Sequence, residues 1–412
     1  MKLKLLTFFF LLALASSSQV KGYYDDGTKA EVLLANPDSV LLLTVYRSDA
    51  NAQKILANVH KFKNLTRLTC DLQTKLQLKL VAKLTKLKGI RFASCQFTVL
   101  PAEMAALTEL EDLDVSTNKL TVLPAWIFSL KKLKILKVNG NPIKSIPPGI
   151  KNLTELEELD IWATKITEIP AEIAQLTKLK KLSMANVKTP KMPPALPESL
   201  ETLWLESCNF SVIPPCVLKL KNLKFLAING NPISAVPKEI FDFIKLEALY
   251  ISSKKITEIP PEIGNLKNLT DFRADYCSLT TLPKELFNIV GLKYLYVDHN
   301  QLTEIPSEIG NLVRVNNLCL HYNQLKSIPK EITNLKYLQS LRIDRNQLTS
   351  IPDGICTMKY LKYFMVGENP ITKLPECITE MKFSELLWVK KMMLPQAEKD
   401  RLKTAFPKIE FE

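Results

Sequence analysis

Histidine is almost missing from this chain of 412 residues, which has three. No serine–histidine–aspartate or cysteine–histidine set and no phosphate-cradling glycine loop stands out, so the usual means of catalysis are lacking. Arginine is scarce too, 8 against 47 lysines, although the formal net charge is +13. That charge could suit nucleic acid, but the sequence has no module that interleaves basic and aromatic residues. Much of the lysine lies in short stretches such as Lys131-Lys132 and Lys178-Leu179-Lys180-Lys181, which read as a solvated face. Long apolar runs are missing beyond the N terminus. The run Leu5–Leu12 is far short of the roughly 20 residues that span a bilayer. It follows the basic start Met1-Lys-Leu-Lys and precedes Ala13-Leu-Ala15-Ser16-Ser-Ser, so residues 1–18 read as a secretory signal peptide. The mature chain is therefore expected to be exported, with no transmembrane segment. No cysteine follows the apolar run to take a lipid anchor.

What the sequence has in abundance is period. Pro101, Pro124, Pro147, Pro170, Pro193, Pro214, Pro237, Pro260, Pro283, Pro306, Pro329, Pro352 and Pro375 are 23 residues apart, except for 21 between Pro193 and Pro214. Such a period marks a solenoid of stacked supersecondary units. Counting from Leu292, leucine or an equivalent recurs at positions 1, 4, 6 and 11, asparagine at 9, and Ile-Pro or Leu-Pro at 14 and 15. Positions 4 and 6 point the same way, as in a strand. Strands should start at Leu65, Leu87, Leu110, Leu133, Leu156, Leu179, Leu200, Leu223, Leu246, Leu269, Leu292, Val315, Leu338, Leu361 and Phe383, with a degenerate first turn over 40–45. That makes about sixteen coils. The asparagine can satisfy backbone groups of two successive turns, and the proline ends the strand side before a short helical or 3₁₀ segment.

The runs L-T-E-I-P-S-E-I-G-N-L and L-T-E-I-P-P-E-I-G-N-L, with the pattern L-x-x-L-x-L-x-x-N/C-x-L, resemble leucine-rich repeat proteins of the 23-residue class. These are typified by the Ras-pathway scaffold and by disease-resistance-like arrays. The resemblance implies an α/β solenoid, a curved horseshoe with a parallel concave sheet and short helical or 3₁₀ convex segments. It covers residues 61–393. The stretch Pro194–Cys208 is similar instead to the shorter repeats of secreted bacterial effectors, in which an extended L-P-x-S-L path replaces the helical segment.

Residues 19–60 are expected to cap the array, with Glu31–Val45 a helix leading into a first strand, similar to the lead-in of bacterial leucine-rich repeat proteins. Residues 394–412 should close the other end, through a helix over Leu394–Ala405 and a short strand over Lys408–Phe411. Of eight cysteines, Cys95, Cys208 and Cys277 fall at the asparagine position and Cys70 inside a strand, as packed thiols. Cys216, Cys356 and Cys377 fall on convex segments, and Cys356 and Cys377 are placed for a bridge between adjacent coils. The paired-cysteine caps of animal extracellular arrays are missing, which favours a bacterial source. Four N-x-S/T triplets begin at Asn64, Asn152, Asn209 and Asn268, three of them within the repeat's own N-L-T run.

Function should sit where the repeat leaves residues free, at positions 2, 3, 5, 7 and 8. Position 5 runs Arg91, Asp114, Lys137, Asp160, Ser183, Trp204, Ala227, Tyr250, Arg273, Tyr296, Cys319, Arg342, Met365. Position 7 gives Trp162, then Asp275, Asp298, His321 and Asp344, and position 8 gives Tyr276, His299, Tyr322 and Arg345. From Trp204 to Arg345 this face has the composition of an interface hot spot. The expected ligand is a protein or peptide, with a glycan as the alternative. No cofactor or metal is called for. Like charges in the ladder Asp275, Asp298, His321, Asp344 need compensation, and cross-strand pairing with Arg273, Arg342 and Arg345 is preferred to a bound cation. A non-enzymatic recognition module is the expectation, a structural adhesion component the alternative. An effector-like enzyme is not the expectation, since about twenty residues after the array are too few for a catalytic domain.

Overall fold

The computed structural model describes residues 20–24, 33–45, 50–70, 77–188, 190–381 and 386–411. The proposed signal peptide and Phe383 lie outside these. The chain divides into two compact units, Met1–Leu200 and Glu201–Glu412. The first holds the strands Val20–Tyr24, Val40–Val45 and Arg67–Cys70, then one three-residue strand per coil from Gly89–Arg91 to Lys181–Ser183. Consecutive strands of this unit pair in parallel. The second unit repeats the plan from Thr202–Trp204 to Leu386–Trp388. Registers within it run residue for residue, Asp271 with Tyr294, Phe272 with Leu295 and Arg273 with Tyr296. Each sequence position thereby becomes a physical column along the sheet.

The leucines behave as the pattern requires. Leu292, Leu295, Val297 and Leu302 are fully buried, and Ile305 nearly so. A single coil could not enclose them, whereas stacked neighbours make a continuous core. Asparagine at position 9 ties the coils together. Asn323 donates through Nδ2 to the Val297 carbonyl of the previous coil at 3.1 Å and to Leu320 of its own at 3.0 Å, while its Oδ1 accepts from Leu302 N. Pro306 sits extended at φ −69° just ahead of the 3₁₀ turn Ser307–Asn311, and its carbonyl accepts from Ile309 N at 3.1 Å. The missing N–H of proline costs nothing there. The shortened coil has no helical turn among its described residues. A lone parallel bridge, Glu168 to Lys191, and a turn closed by Leu200 N on the Pro197 carbonyl take its place.

Position 2 carries an alternation of charge. In the first unit Lys88, Glu111, Lys134, Glu157 and Lys180 succeed one another. Lys134 lies 2.8 Å from Glu111, Lys180 3.0 Å from Glu157 and Lys88 3.7 Å from Glu111. Just before position 1, Lys132 pairs with Glu109 and Lys178 with Glu155, each at 2.7 Å. The lysine-rich stretches are thus bound crosswise to neighbouring coils as well as solvated.

One strand is added and two expectations are corrected. Val20–Tyr24 is a strand of the N-terminal cap, parallel to Val40–Val45. Lys408–Phe411 forms no strand. Residue 411 offers its carbonyl to Lys391 N at 2.8 Å, and Lys403 Nζ donates to the Ile409 carbonyl at 3.0 Å. Trp388 pairs with Met365, which puts it at position 5, one residue away from a count begun at Phe383. The expected helix is present as Gln396–Ala405. Cys356 and Cys377 form a disulfide, and the other six cysteines are buried thiols. Burial pushes Cys277 up to about 11 and Cys319 up to about 12, which leaves them unreactive. No helix of the described residues is long and apolar enough to cross a membrane.

Candidate recognition surface

All thirteen residues singled out from the sequence fall on the open face of the sheet in the second unit, nine of them in two columns and the four of position 7 between these. The first follows positions 3 and 5. Trp204 packs on Phe225 with ring centroids 5.2 Å apart, and Phe225 meets Tyr250 edge-on at 5.1 Å. The Arg273 guanidinium is held between Tyr250 and Tyr296, 4.3 and 4.6 Å from their ring centres. Asp271 locks this arrangement. It accepts the Tyr250 hydroxyl at 2.7 Å and both Nε and Nη2 of Arg273 at 3.3 Å. Burial, then the hydrogen bond to Asp271, pushes the Tyr250 phenol up to about 12, so it stays a neutral donor.

The second column follows position 8. Tyr276 stacks on His299 at 4.0 Å, His299 on Tyr322 at 4.2 Å, and the Arg345 guanidinium lies 4.3 Å above Tyr322. Arg345 is anchored to Glu368 at 3.0 Å. The backbone here is left-handed, with φ of 51°, 51°, 53° and 56° at Tyr276, His299, Tyr322 and Arg345. At the same place in other coils stand Gly140 and Gly230, with φ of 66° and 72°. A bulky side chain in this region costs about 1 kcal/mol where glycine would cost little. Ser94, Thr117, Ala163, Asn186, Ser207 and Glu368 share this left-handed backbone, so it belongs to the repeat; what sets these four coils apart is the large rings and the guanidinium placed on it.

Position 7 lies between the columns. Ser252 donates to Asp275 at 2.7 Å, and His299 Nδ1 meets Asp298 at 2.8 Å. The expected pairing of this ladder with arginines is met by Arg342 alone, as an ion pair with Asp344 inside its own coil. Arg273 is committed to Asp271 and Arg345 to Glu368, while Arg342 Nε stops 3.8 Å from Asp344 Oδ1 and neither atom has a hydrogen-bond partner. Arg273 and Arg345 lie flat on rings, which directs their forks along the columns and away from position 7. Burial, then the positive charges of Arg342, His299 and Arg345, pulls His321 down to about 3, so its imidazole is neutral.

Asp344 is 3% exposed, and burial raises its carboxyl to about 6 against the partial relief given by Arg342. A carboxyl raised on folding contributes stability in full below its unfolded pKa and loses it as pH climbs through 6. Asp344→Asn is therefore expected to stabilise the fold by about 2 kcal/mol at pH 7.5 and by little at pH 4. Thermal melts at the two pH values check this; an equal shift at both would refute it.

Between the columns, Tyr250, Ser252, Lys254, Arg273, Asp275 and Tyr276 line an open depression of about 650 Å³. On its rim the Asn229 Oδ1 is buried without a hydrogen bond. Sequence reasoning missed Phe225, Asp271 and Trp388. The first two stand at position 3, among the free positions, and could have been found by reading that column. The face of the first unit differs, being crossed by ion pairs such as Lys137 with Glu158 at 2.7 Å, with Trp162 exposed beside them.

An open parallel sheet carrying varied, pre-stacked side chains on one face is the architecture of a binding scaffold. The family model described as "Leucine-rich repeat region" matches residues 42–207 and 281–361, and one described as "Leucine Rich Repeat" matches 199–220. The chain belongs to the leucine-rich repeat family. It is similar to a leucine-rich repeat protein of Leptospira interrogans at 31% identity, covering 95% of this chain and 100% of that one, with a TM-score of 0.83. An internalin of Listeria monocytogenes shares the fold at 22% identity, 76% and 94% coverage and TM-score 0.64. So does the plant peptide hormone receptor RGFR1 in complex with RGF2, at 22% identity, 91% and 66% coverage and TM-score 0.63. No curated protein matches the chain by sequence.

Proposed function

We propose that this protein is an exported, non-enzymatic recognition module that binds a protein or peptide on the sheet face between Trp204 and Trp388. The observation that carries this reading is the stacked column of Tyr276, His299, Tyr322 and Arg345. Aromatic and arginine side chains pre-stacked in this way lose little freedom on binding, which favours affinity. The same stacking argues against a glycan. Sugars dock on free ring faces, and here the faces of His299 and Tyr322 are covered by their neighbours, leaving edges, hydroxyls and the depression near Arg273 to a ligand. The complex of the plant receptor of similar fold supports a peptide-sized occupant. The signal-like residues 1–18 and the Cys356–Cys377 disulfide support an oxidising, exported setting.

The quadruple variant Tyr250→Ala, Arg273→Ala, Tyr296→Ala, Arg342→Ala should lose at least about 100-fold in affinity for its ligand, as expected when clustered hot spots go. Capture from native envelope material, compared by mass spectrometry between parent and variant, measures this. Capture unchanged in a variant that melts with the parent would sink the proposal. Fusing residues 1–18 to a reporter tests export separately.

A further inference from the structure

Asp298, His299 and His321 bring one carboxylate and two imidazoles together from adjacent coils at positions 7 and 8. His299 Nδ1 is 2.8 Å and His321 Nε2 3.5 Å from the same oxygen, Asp298 Oδ2, and all three donor atoms lie within 4.8 Å of one another. We propose that these three residues form a binding site for a divalent transition ion of the zinc type, with a fourth position open to water on the sheet face.

Three observations carry the assignment. The first is chemical. Two imidazole nitrogens and one carboxylate oxygen suit zinc and its neighbours, and three protein ligands leave one tetrahedral position open. With metal–ligand bonds of about 2.0–2.1 Å, donors around a tetrahedral ion stand roughly 3.3 Å apart. The two separations seen at Asp298 fall on either side of that value. The second is rigidity. The His299 ring is clamped between Tyr276 and Tyr322, and His321 meets it edge-on at 5.1 Å. Asp298 and His321 are only 7% and 6% exposed. The donors are thus held in place before any ion arrives. The third is the missing compensation. Arg273 and Arg345 are turned to Asp271 and Glu368 and Arg342 to Asp344, so among the described residues the ion-pair partners of Asp298 are the two imidazoles alone. A cation would supply what the arginines do not. The side chain of His299 is 24% exposed, which gives an ion a path from solvent.

The test is a calorimetric titration of tag-free, chelator-stripped protein with zinc chloride, repeated with cobalt(II) as a spectroscopic probe. One saturable ion per chain is expected, with cobalt(II) bands of nitrogen–oxygen ligation and none of thiolate ligation. Asp298→Asn keeps the shape of the side chain, and His299→Phe keeps the ring stack. Each should weaken binding at least about tenfold, the least that loss of a coordinating shell costs, while melting with the parent. Either substitution suffices if the other fails to fold. No saturable uptake, or uptake with the same affinity in both variants, would overturn the proposal; the latter would place the ion elsewhere, as on the buried thiols.

Discussion

Asn346→Ala is expected to cost about 3 kcal/mol of stability. Asn346 is buried, and its side chain makes four hydrogen bonds that alanine cannot replace. Nδ2 donates to the carbonyls of Leu320, Ile343 and Asp344 at 3.0, 3.1 and 3.2 Å, and Oδ1 accepts from Leu325 N at 3.0 Å. Alanine would leave backbone groups of two coils without partners in a place water does not reach, at about 1–3 kcal/mol for each group left bare. Cysteine already stands at this position in three coils, as Cys95, Cys208 and Cys277, and Cys277 Sγ accepts from Ser253 N at 3.3 Å. Asn346→Cys should accordingly lose about half as much. Urea unfolding of the three proteins measures the order. An alanine variant as stable as the parent would show that the asparagine ladder is dispensable. Because each coil touches only its neighbours, hydrogen exchange should locate the loss around Leu320–Leu348.

The second large effect lies at the C-terminal cap. Glu398 is 6% exposed, accepts from Leu374 N at 2.9 Å and receives Arg401 at 2.6 and 2.8 Å. Arg401 in turn donates to the carbonyls of Leu374 and Glu376, each at 3.1 Å. One ion pair thus closes the backbone groups that the last 3₁₀ turn exposes, a duty that the next coil performs elsewhere. Removing one partner of a partly buried, charge-assisted pair of this kind costs about 2–3 kcal/mol, and Glu398→Ala is expected to lose that much. The hydrogen bond from Arg401 holds the Glu398 carboxyl below the usual carboxylate range. Its contribution is therefore complete above the unfolded pKa and disappears as pH falls through the lower folded value. Limited proteolysis should cut the variant within the last coils first. A variant with unchanged urea midpoint and unchanged cleavage would refute the assignment.

The solenoid was legible because a strand has a period of two and the coil a fixed length, so Leu292, Leu295 and Val297 announce the inward side by spacing alone. The asparagine ladder was legible for the same reason, since one amide serves two carbonyls wherever coils stack. The candidate surface was legible only as composition. Tyr276, His299 and Tyr322 could be placed in one column, but their stacking depends on a left-handed backbone at position 8, for which a tyrosine gives no sign. The arginine pairing was met at Arg342 but not at Arg273, because a guanidinium has a flat face as well as a fork, and Arg273 spends the face on Tyr250 and Tyr296 while Asp271 takes the fork. Asp271 itself stands two residues before Arg273, on the same side of the strand. Lys408–Phe411 alternates like a strand, yet its fixed points are a single backbone contact and the reach of Lys403 from the helix before it.

The alternation of lysine and glutamate at position 2 imposes a rule of parity on this array. Deleting the coil that carries Glu111 would set Lys88 against Lys134, and deleting the next would set Glu111 against Glu157. Like charges directly opposed cost about 0.2–1 kcal/mol where unlike ones had contributed. Loss or gain of two neighbouring coils restores every opposition. In this part of the molecule, length should therefore change by pairs of coils, whether through recombination between repeats or at a designer's bench.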